Sequence, residues 1–125
     1  MIILHFLEVA EMGVSDSLKK GTVELLILKL LQDRDMYGYE ITQELQTRSN
    51  GYFVLQEGSL YPTLYRMLER KLISDRQELV GRRRTRVYYH LEEEGRKKYE
   101  LIKAEYLALN KGIMTIIGDD QKKED

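Results

Sequence analysis

The sequence predicts a mainly helical α+β fold in which one small β-hairpin is set among helices. Apolar residues recur at helical spacing in four segments, and the spacing changes toward two between residues 72 and 91. A chain of 125 residues has room for about one domain and one appendage. We therefore expect one folding unit followed by a separate C-terminal helix.

The composition is that of an ordinary globular protein, with 42% hydrophobic and 33% charged residues. The absence of cysteine excludes disulfides, thiolate metal sites and cysteine nucleophiles, and it fits a cytoplasmic location. No apolar run approaches the ~20 residues that span a bilayer, so we expect no membrane partner. The apolar start, MIILHFLEVAEM, lacks a basic region and is interrupted by His5 and Glu8. We expect residues 1–16 to be an N-terminal extension with a short helix, not a secretion signal.

Two amphipathic helices are predicted in the first half of the chain. The first runs from about Ser17 to Gln32, and its wide apolar stripe is typical of a buried helix: Val23, Leu25, Leu26, Ile27, Leu28, Leu30 and Leu31. The segment Asp33–Asp35 ends it. The second repeats an apolar residue every four positions, at Tyr37, Ile41 and Leu45, and Asn50-Gly51 supplies a left-handed stop.

The third predicted helix begins in the stretch GSLYPTLYRMLERK, Gly58–Lys71. Ser59 is expected to cap it, and Pro62 is expected in the first turn, where a missing amide hydrogen has no partner to lose. One side of the helix is apolar, at Leu60, Leu64, Met67 and Leu68. The opposite side carries polar residues that are free to bind: Ser59, Thr63, Arg66 and Arg70.

A period near two predicts strands over Leu72–Glu78 and Thr85–Leu91. Their connection, LVGRRRT, holds Gly81 for the turn and three arginines at the tip, Arg82, Arg83 and Arg84. Residues 66–86 contain eight basic and three acidic side chains, a local charge of +5 in a chain whose net charge is −1. A local basic patch attracts an anion at one place on the surface.

The last predicted helix runs from Glu92 to about Gly118 and has a heptad pattern. Its apolar residues follow in steps of three and four, which is typical of a helix that packs along a partner helix: Tyr99, Ile102, Tyr106, Leu109, Ile113 and Ile116. We expect residues 92–118 to form a dimerisation helix and residues 119–125 to form a disordered tail.

Three helices followed by a basic two-stranded ribbon are the order of a winged helix-turn-helix, predicted here over residues 17–91. A helix fits the major groove of double-stranded DNA, and hairpin arginines can contact the adjacent backbone. The candidate DNA-binding residues are Ser59, Tyr61, Thr63, Arg66, Arg70, Arg82, Arg83, Arg84 and Arg86.

Three segments resemble the PadR family of transcriptional regulators: YGYEI from Tyr37, GSLYPTLYRMLER from Gly58, and RVYYHLEEEGR from Arg86. The resemblance implies a recognition helix over Leu60–Arg70, a wing over Leu72–Leu91 and a dimerising last helix, as in the smaller branch of the family. It further implies a repressor that acts as a homodimer on an inverted repeat and is released by a small aromatic effector between the subunits. Lys71 stands where the family usually has glycine, and Glu92 stands where it commonly has a capping threonine.

The sequence also allows other functions for this fold and for two tyrosines of the last helix. A protein-binding winged helix without DNA affinity fits the same pattern. Tyr99 and Tyr106 are candidates to line an effector pocket, although aromatic residues at this spacing are more often plain core. An enzyme is not expected, because His5 and His90 are far apart and lack metal-ligand spacing, and no cofactor is expected.

Overall fold

The computed structural model of the chain describes residues 18, 19 and 21–118. The predictions for residues 1–16 and for the tail 119–125 lie outside the described residues. None of the helices in the described part is both long and apolar enough to cross a bilayer.

The described residues form four helices and a small antiparallel sheet. The helices are α1 (Thr22–Asp33), α2 (Gly38–Arg48), α3 (Glu57–Glu69) and α4 (Glu93–Ile117), and the strands are β1 (Met36–Tyr37), β2 (Ile73–Val80) and β3 (Arg84–Leu91). The strand order is β1-β3-β2. The predicted fold class is confirmed. Strand β1 was not predicted, because two residues are too few to show a period of two.

The core lies between α1, α2, α3 and one face of the sheet. The wide apolar stripe of α1 is buried as predicted, with Ile27 and Leu28 completely enclosed. Leu60, Leu64 and Met67 bury the inner side of α3. The core is completed by side chains from the sheet and α4, namely Met36, Ile73, Tyr89, Leu91 and Tyr99. The outer side of α3 is thereby held toward solvent.

Helices α2 and α3 end with the same backbone geometry. Asn50 and Lys71 have φ values of 53° and 60°, the left-handed region that non-glycine residues rarely adopt. The amide of the next residue closes each end: Gly51 N donates to Gln46 O at 2.8 Å, and Leu72 N donates to Met67 O at 3.0 Å. The stop predicted at Asn50-Gly51 is confirmed. Lys71 carries a conformational cost of about 1 kcal/mol at a position that suits glycine.

The predicted start of α3 is wrong. Gln56, not Ser59, is the N-cap, because its extended backbone lets its carbonyl accept the amide hydrogen of Leu60 at 2.9 Å. The helix therefore begins at Glu57, and Ser59 is its third residue. Pro62 lies inside the helix and not in its first turn. Its ring removes the amide hydrogen that would otherwise bond to the carbonyl of Gly58.

Strands β2 and β3 form the predicted hairpin, with Val80 opposite Arg84 and Ile73 opposite Leu91. Gly81 has a φ of 76° and makes the turn, as predicted. The connection is shorter than predicted: Arg84 is already the first residue of β3, so only Arg82 and Arg83 lie within the turn. The long ladder makes this hairpin a rigid support for its tip.

Candidate nucleic-acid interface

The outer face of α3 is organised by a short chain of hydrogen bonds. The Thr63 hydroxyl donates to the Ser59 carbonyl at 2.9 Å, and it accepts from Arg66 Nη2 at 3.2 Å. The Arg66 guanidinium is thus oriented along the helix while remaining exposed. Within the described residues it forms no salt bridge with a carboxylate. Its remaining donors are available to a ligand.

Arg70 differs from Arg66 in its surroundings. Its guanidinium pairs with the carboxylate of Glu24, which lies in the first turn of α1. This contact joins the C-terminal end of α3 to α1. A DNA phosphate would have to compete with that carboxylate for Arg70, whereas Arg66 meets no such competition among the described side chains.

The wing presents arginines that have no anionic partner among the described residues. Arg82, Arg83 and Arg84 are exposed, and none of them forms a salt bridge with another described residue. Other arginines of the described chain are paired: Arg34 Nη1 lies 2.7 Å from Glu40, and Arg48 Nη2 lies 2.7 Å from Asp33. The sequence-predicted tip residues are therefore brought together as a free cationic cluster.

Arg86, the third residue of β3 after the wing turn, is held against strand β1. Its guanidinium lies 4.3 Å from the ring centre of Tyr37, a cation–π contact. Tyr37 meets Tyr88 edge to face at 5.5 Å, and the guanidinium of Arg76 lies 5.2 Å from the Tyr88 ring. Two contacting rings flanked by two guanidinium groups thus form a row across strands β1, β2 and β3.

Asp35 anchors the far end of this row. It pairs with Arg76, and its Oδ1 lies 2.7 Å from His90 Nδ1. Partial burial raises the pKa of Asp35, but the hydrogen bonds from His90 and Arg76 outweigh that effect and hold the pKa below its usual value. Asp35 therefore stays ionised and keeps Arg76 in place over the Tyr88 ring.

A cleft of about 360 Å³ separates α3 from the wing. Its walls carry five tyrosines together with Glu57, Thr85 and Arg86: Tyr37, Tyr39, Tyr61, Tyr65 and Tyr89. The sequence favours packing roles over ligand contacts for Tyr37 and Tyr39, and it gives no indication of the cleft. Tyr39 and Tyr65 are instead 64% and 61% exposed.

Gly38 determines how closely the cleft walls approach. A Cβ at this position would lie 2.6 Å from the Tyr61 hydroxyl oxygen, so any larger residue would displace the Tyr61 ring. The tyrosines on both sides of Gly38 in YGYEI are the sequence signal for this arrangement. The motif alone does not predict the cleft, because the cleft forms only where α3 packs against Gly38, and a linear pattern does not show that contact.

The six apolar heptad residues predicted on α4 lie in two different environments. Tyr99 is buried in the chain's own core, and Ile102 packs against it. The remaining four residues are exposed by 41 to 77%: Tyr106, Leu109, Ile113 and Ile116. Tyr106, Leu109 and Ile113 also line a groove of about 420 Å³ whose other side is Leu18, Gly21 and Thr22.

Among the described residues, no group of three or more His, Asp or Glu side chains is placed to hold a metal ion. Three helices, a two-stranded wing and a cationic face define a winged helix-turn-helix protein. Comparison with known proteins specifies the class further. The model named Transcriptional regulator PadR-like family matches residues 27–101, so the chain belongs to that family. Its members are transcription regulators and not enzymes.

Individual relatives agree with this assignment. The chain is similar to a transcriptional regulator from Clostridium thermocellum, with a TM-score of 0.73 and 29% identity over 81% of this chain and 97% of that one. It is 32% identical to the Escherichia coli transcriptional regulator YqjI over 66% of this chain, and it spans only 41% of that protein's length. It shares the fold of Bacillus subtilis PadR in complex with operator DNA, with a TM-score of 0.60 and 21% identity over 64% of this chain and 45% of that one.

Proposed function

We propose that this chain binds double-stranded DNA sequence-specifically and acts as a repressor, as a homodimer on an inverted repeat. The observation that carries the proposal is the set of arginines that the fold exposes without carboxylate partners among the described residues: Arg66 on α3, and Arg82, Arg83 and Arg84 on the wing. Side chains of one charge held on a rigid surface are complementary to a polyanion.

Helix α3 and the wing have different binding roles in this proposal. The outer side of α3 enters the major groove, where Thr63 and Arg66 read base edges and Ser59 and Tyr61 contact the backbone. Arg82, Arg83, Arg84 and Arg86 contact phosphates beside that groove. Arg70 belongs to the set only when it exchanges Glu24 for a phosphate. Bacillus subtilis PadR, which has the same fold, forms a complex with operator DNA, and this supports DNA as the ligand in the proposal.

The homodimer rests on the exposed apolar stripe of α4. Leu109 and Ile116 are 65% and 77% exposed, and a second copy of the stripe would remove them from water. Two linked domains bind two half-sites in one event, which raises both affinity and specificity. A protein with two-fold symmetry requires a site with two-fold symmetry.

We propose that a small aromatic effector binds at the same helix. The groove beside Tyr106 adjoins the proposed dimer contact, so a planar aromatic molecule bound there would alter the spacing of the two DNA-binding domains. The expected result is release of DNA and loss of repression. Thermal-shift screening of planar aromatic compounds, with Tyr106→Ala as the control, tests this part of the proposal.

Selection of bound fragments from a random duplex pool tests the central part. The proposal expects an enriched inverted repeat whose half-site centres lie about one helical turn, or a multiple of it, apart. An enriched single site without symmetry contradicts the homodimer. No retention of any duplex at low salt contradicts DNA binding and favours a protein-binding winged helix.

A further inference from the structure

The tyrosine-lined cleft between α3 and the wing has the form of a binding site for the sugar-phosphate strand. We propose that the cleft receives one backbone phosphate of the bound duplex, with the hydroxyls of Tyr39, Tyr65 and Tyr89 as neutral donors. This inference rests on the proposed DNA binding and assigns a role to three tyrosines that are not among the sequence-predicted DNA-binding residues.

The position of the cleft follows from the shape of duplex DNA. When α3 lies in the major groove and the wing reaches toward the adjacent minor groove, the strand that separates the two grooves passes between them. The cleft occupies that interval, because its walls are the stretch Glu57–Tyr65 of α3, the start of α2 and strand β3. The cleft, about 360 Å³ in volume, admits part of a sugar-phosphate backbone and not a whole duplex.

Tyr89 supplies an independent indication of a ligand. Its side chain is 97% enclosed, with 3% relative exposure, yet its hydroxyl makes no hydrogen bond with another described residue. No fully buried side-chain oxygen in the described part of the chain lacks a partner, so this hydroxyl must reach solvent, which the cleft provides. Burial raises the pKa of Tyr89 to about 12, and the hydroxyl therefore keeps its proton.

The charges around the cleft favour recognition by hydrogen bonds. Arg86 contributes one positive charge and Glu57 one negative charge, so the walls have no net charge. Arg86 is also engaged with the Tyr37 ring. A phosphate is therefore bound here by oriented hydroxyl donors and one guanidinium, in contrast to the wing tip, where three unpaired cations act through charge alone.

Hydroxyl deletion tests the proposal on the intact chain. Tyr39→Phe, Tyr65→Phe and Tyr89→Phe each remove one oxygen, and each is expected to weaken binding to every duplex about threefold to tenfold. The slope of log K against log salt should stay unchanged, because a neutral donor releases no counterion. Tyr52→Phe is the matched control: Tyr52 is 62% exposed, like Tyr39 and Tyr65, and it does not line the cleft.

Wild-type binding combined with a triple Phe variant that stays within twofold of it would overturn this inference and leave the proposed function intact. No binding by the wild type would overturn both. Thermal unfolding of each variant verifies that the fold persists. A second variant, Glu57→Gln, should tighten binding to every duplex, because it removes the one carboxylate on the cleft walls.

Two further measurements locate the phosphate. A single uncharged methylphosphonate, placed between the bases read by α3 and the adjacent minor groove, should weaken wild-type binding more than binding by the triple variant, which keeps only Arg86 at the cleft. Equal losses in both proteins would place the phosphate elsewhere. Inorganic phosphate should compete with DNA no better than chloride at matched ionic strength. Stronger competition that the triple variant abolishes would show a site for free phosphate and overturn the assignment to a DNA strand.

Discussion

The surface formed by α3 and the wing and the second half of α4 are both left incomplete by the chain itself, but they differ in what is missing. The first exposes guanidinium groups without carboxylate partners in the described structure, at Arg66 and Arg82–Arg84. The second exposes aliphatic side chains, such as Leu109 and Ile116. An unpaired cation is satisfied by an anion, whereas an exposed apolar stripe is satisfied by another apolar surface. This difference is the reason for proposing a nucleic acid as the ligand of the first region and a second copy of the chain as the partner of the second.

The arginines sharpen this comparison, because the same residue type has two roles. Arg34 and Arg48 bind carboxylates of α1 and α2 and contribute to the helix–helix contact. The wing arginines form no such pair with a described residue. Exposed ion pairs stabilise a fold only slightly, so the paired arginines make a small contribution to stability. The wing arginines differ in that three of them lie together at one hairpin tip, which is the arrangement that attracts an anion.

The largest effect on dimerisation and DNA affinity is expected from a charge placed in the exposed apolar stripe of α4. Leu109→Asp would place two carboxylates against each other in the proposed dimer contact, a penalty of several kcal/mol. Sedimentation at micromolar concentration should show a dimeric wild type and a monomeric variant whose affinity for the inverted repeat is greatly reduced. Leu107→Asp is the control, since Leu107 is 56% exposed on the same helix but lies off the stripe. A Leu109→Asp variant that remains dimeric with full DNA affinity would show that the stripe is not the contact.

A smaller effect is expected on α3. Arg66→Ala or Thr63→Ala should cost about 1 to 3 kcal/mol on the selected duplex and much less on random DNA, because a base contact carries sequence information. Competition binding with both duplexes measures the difference. Arg96→Ala, an exposed arginine of α4, serves as the control. Equal losses on the two duplexes would reassign Thr63 and Arg66 to the backbone.

The smallest effect concerns the end of α3. Lys71→Gly relieves a left-handed non-glycine residue and should raise the free energy of unfolding by about 1 kcal/mol. Urea denaturation measures the change. Asn50→Gly should gain less, because asparagine tolerates the same backbone better than lysine does. A Lys71→Gly variant less stable than the wild type would mean that the Lys71 side chain contributes more than its backbone costs.

Much of the fold was predictable because α1, α2 and the inner side of α3 follow the helical period, and the hairpin follows the strand period. The start of α3 was not, since it depends on the extended backbone of Gln56 rather than on a capping side chain. Strand β1 exists only because Met36 and Tyr37 pair with Tyr89 and Tyr88, which lie far away in the sequence. Local patterns do not contain such long-range pairing.

The candidate site was predicted unevenly for the same reason. The wing arginines could be found because a charged hairpin tip is a local signal. The Arg70–Glu24 pair and the tyrosine cleft could not, because each joins elements distant in sequence. Tyr99 satisfies the heptad spacing and is nevertheless buried in the chain's own core, since a spacing indicates one face of a helix and not which surface covers it.

The salt dependence of DNA binding tests the central claim most directly. Binding of the wild type and of Arg82→Ala/Arg83→Ala/Arg84→Ala to one selected duplex is measured across a range of salt concentrations. Arg96→Ala/Lys103→Ala/Lys111→Ala removes the same charge from α4 and is the control. The wing variant should bind every duplex more weakly, and its slope of log K against log salt should flatten by about 0.9 for each phosphate that the protein no longer neutralises, while the control keeps the wild-type slope. A wing variant with the wild-type slope would contradict the claim that these arginines bind the DNA backbone.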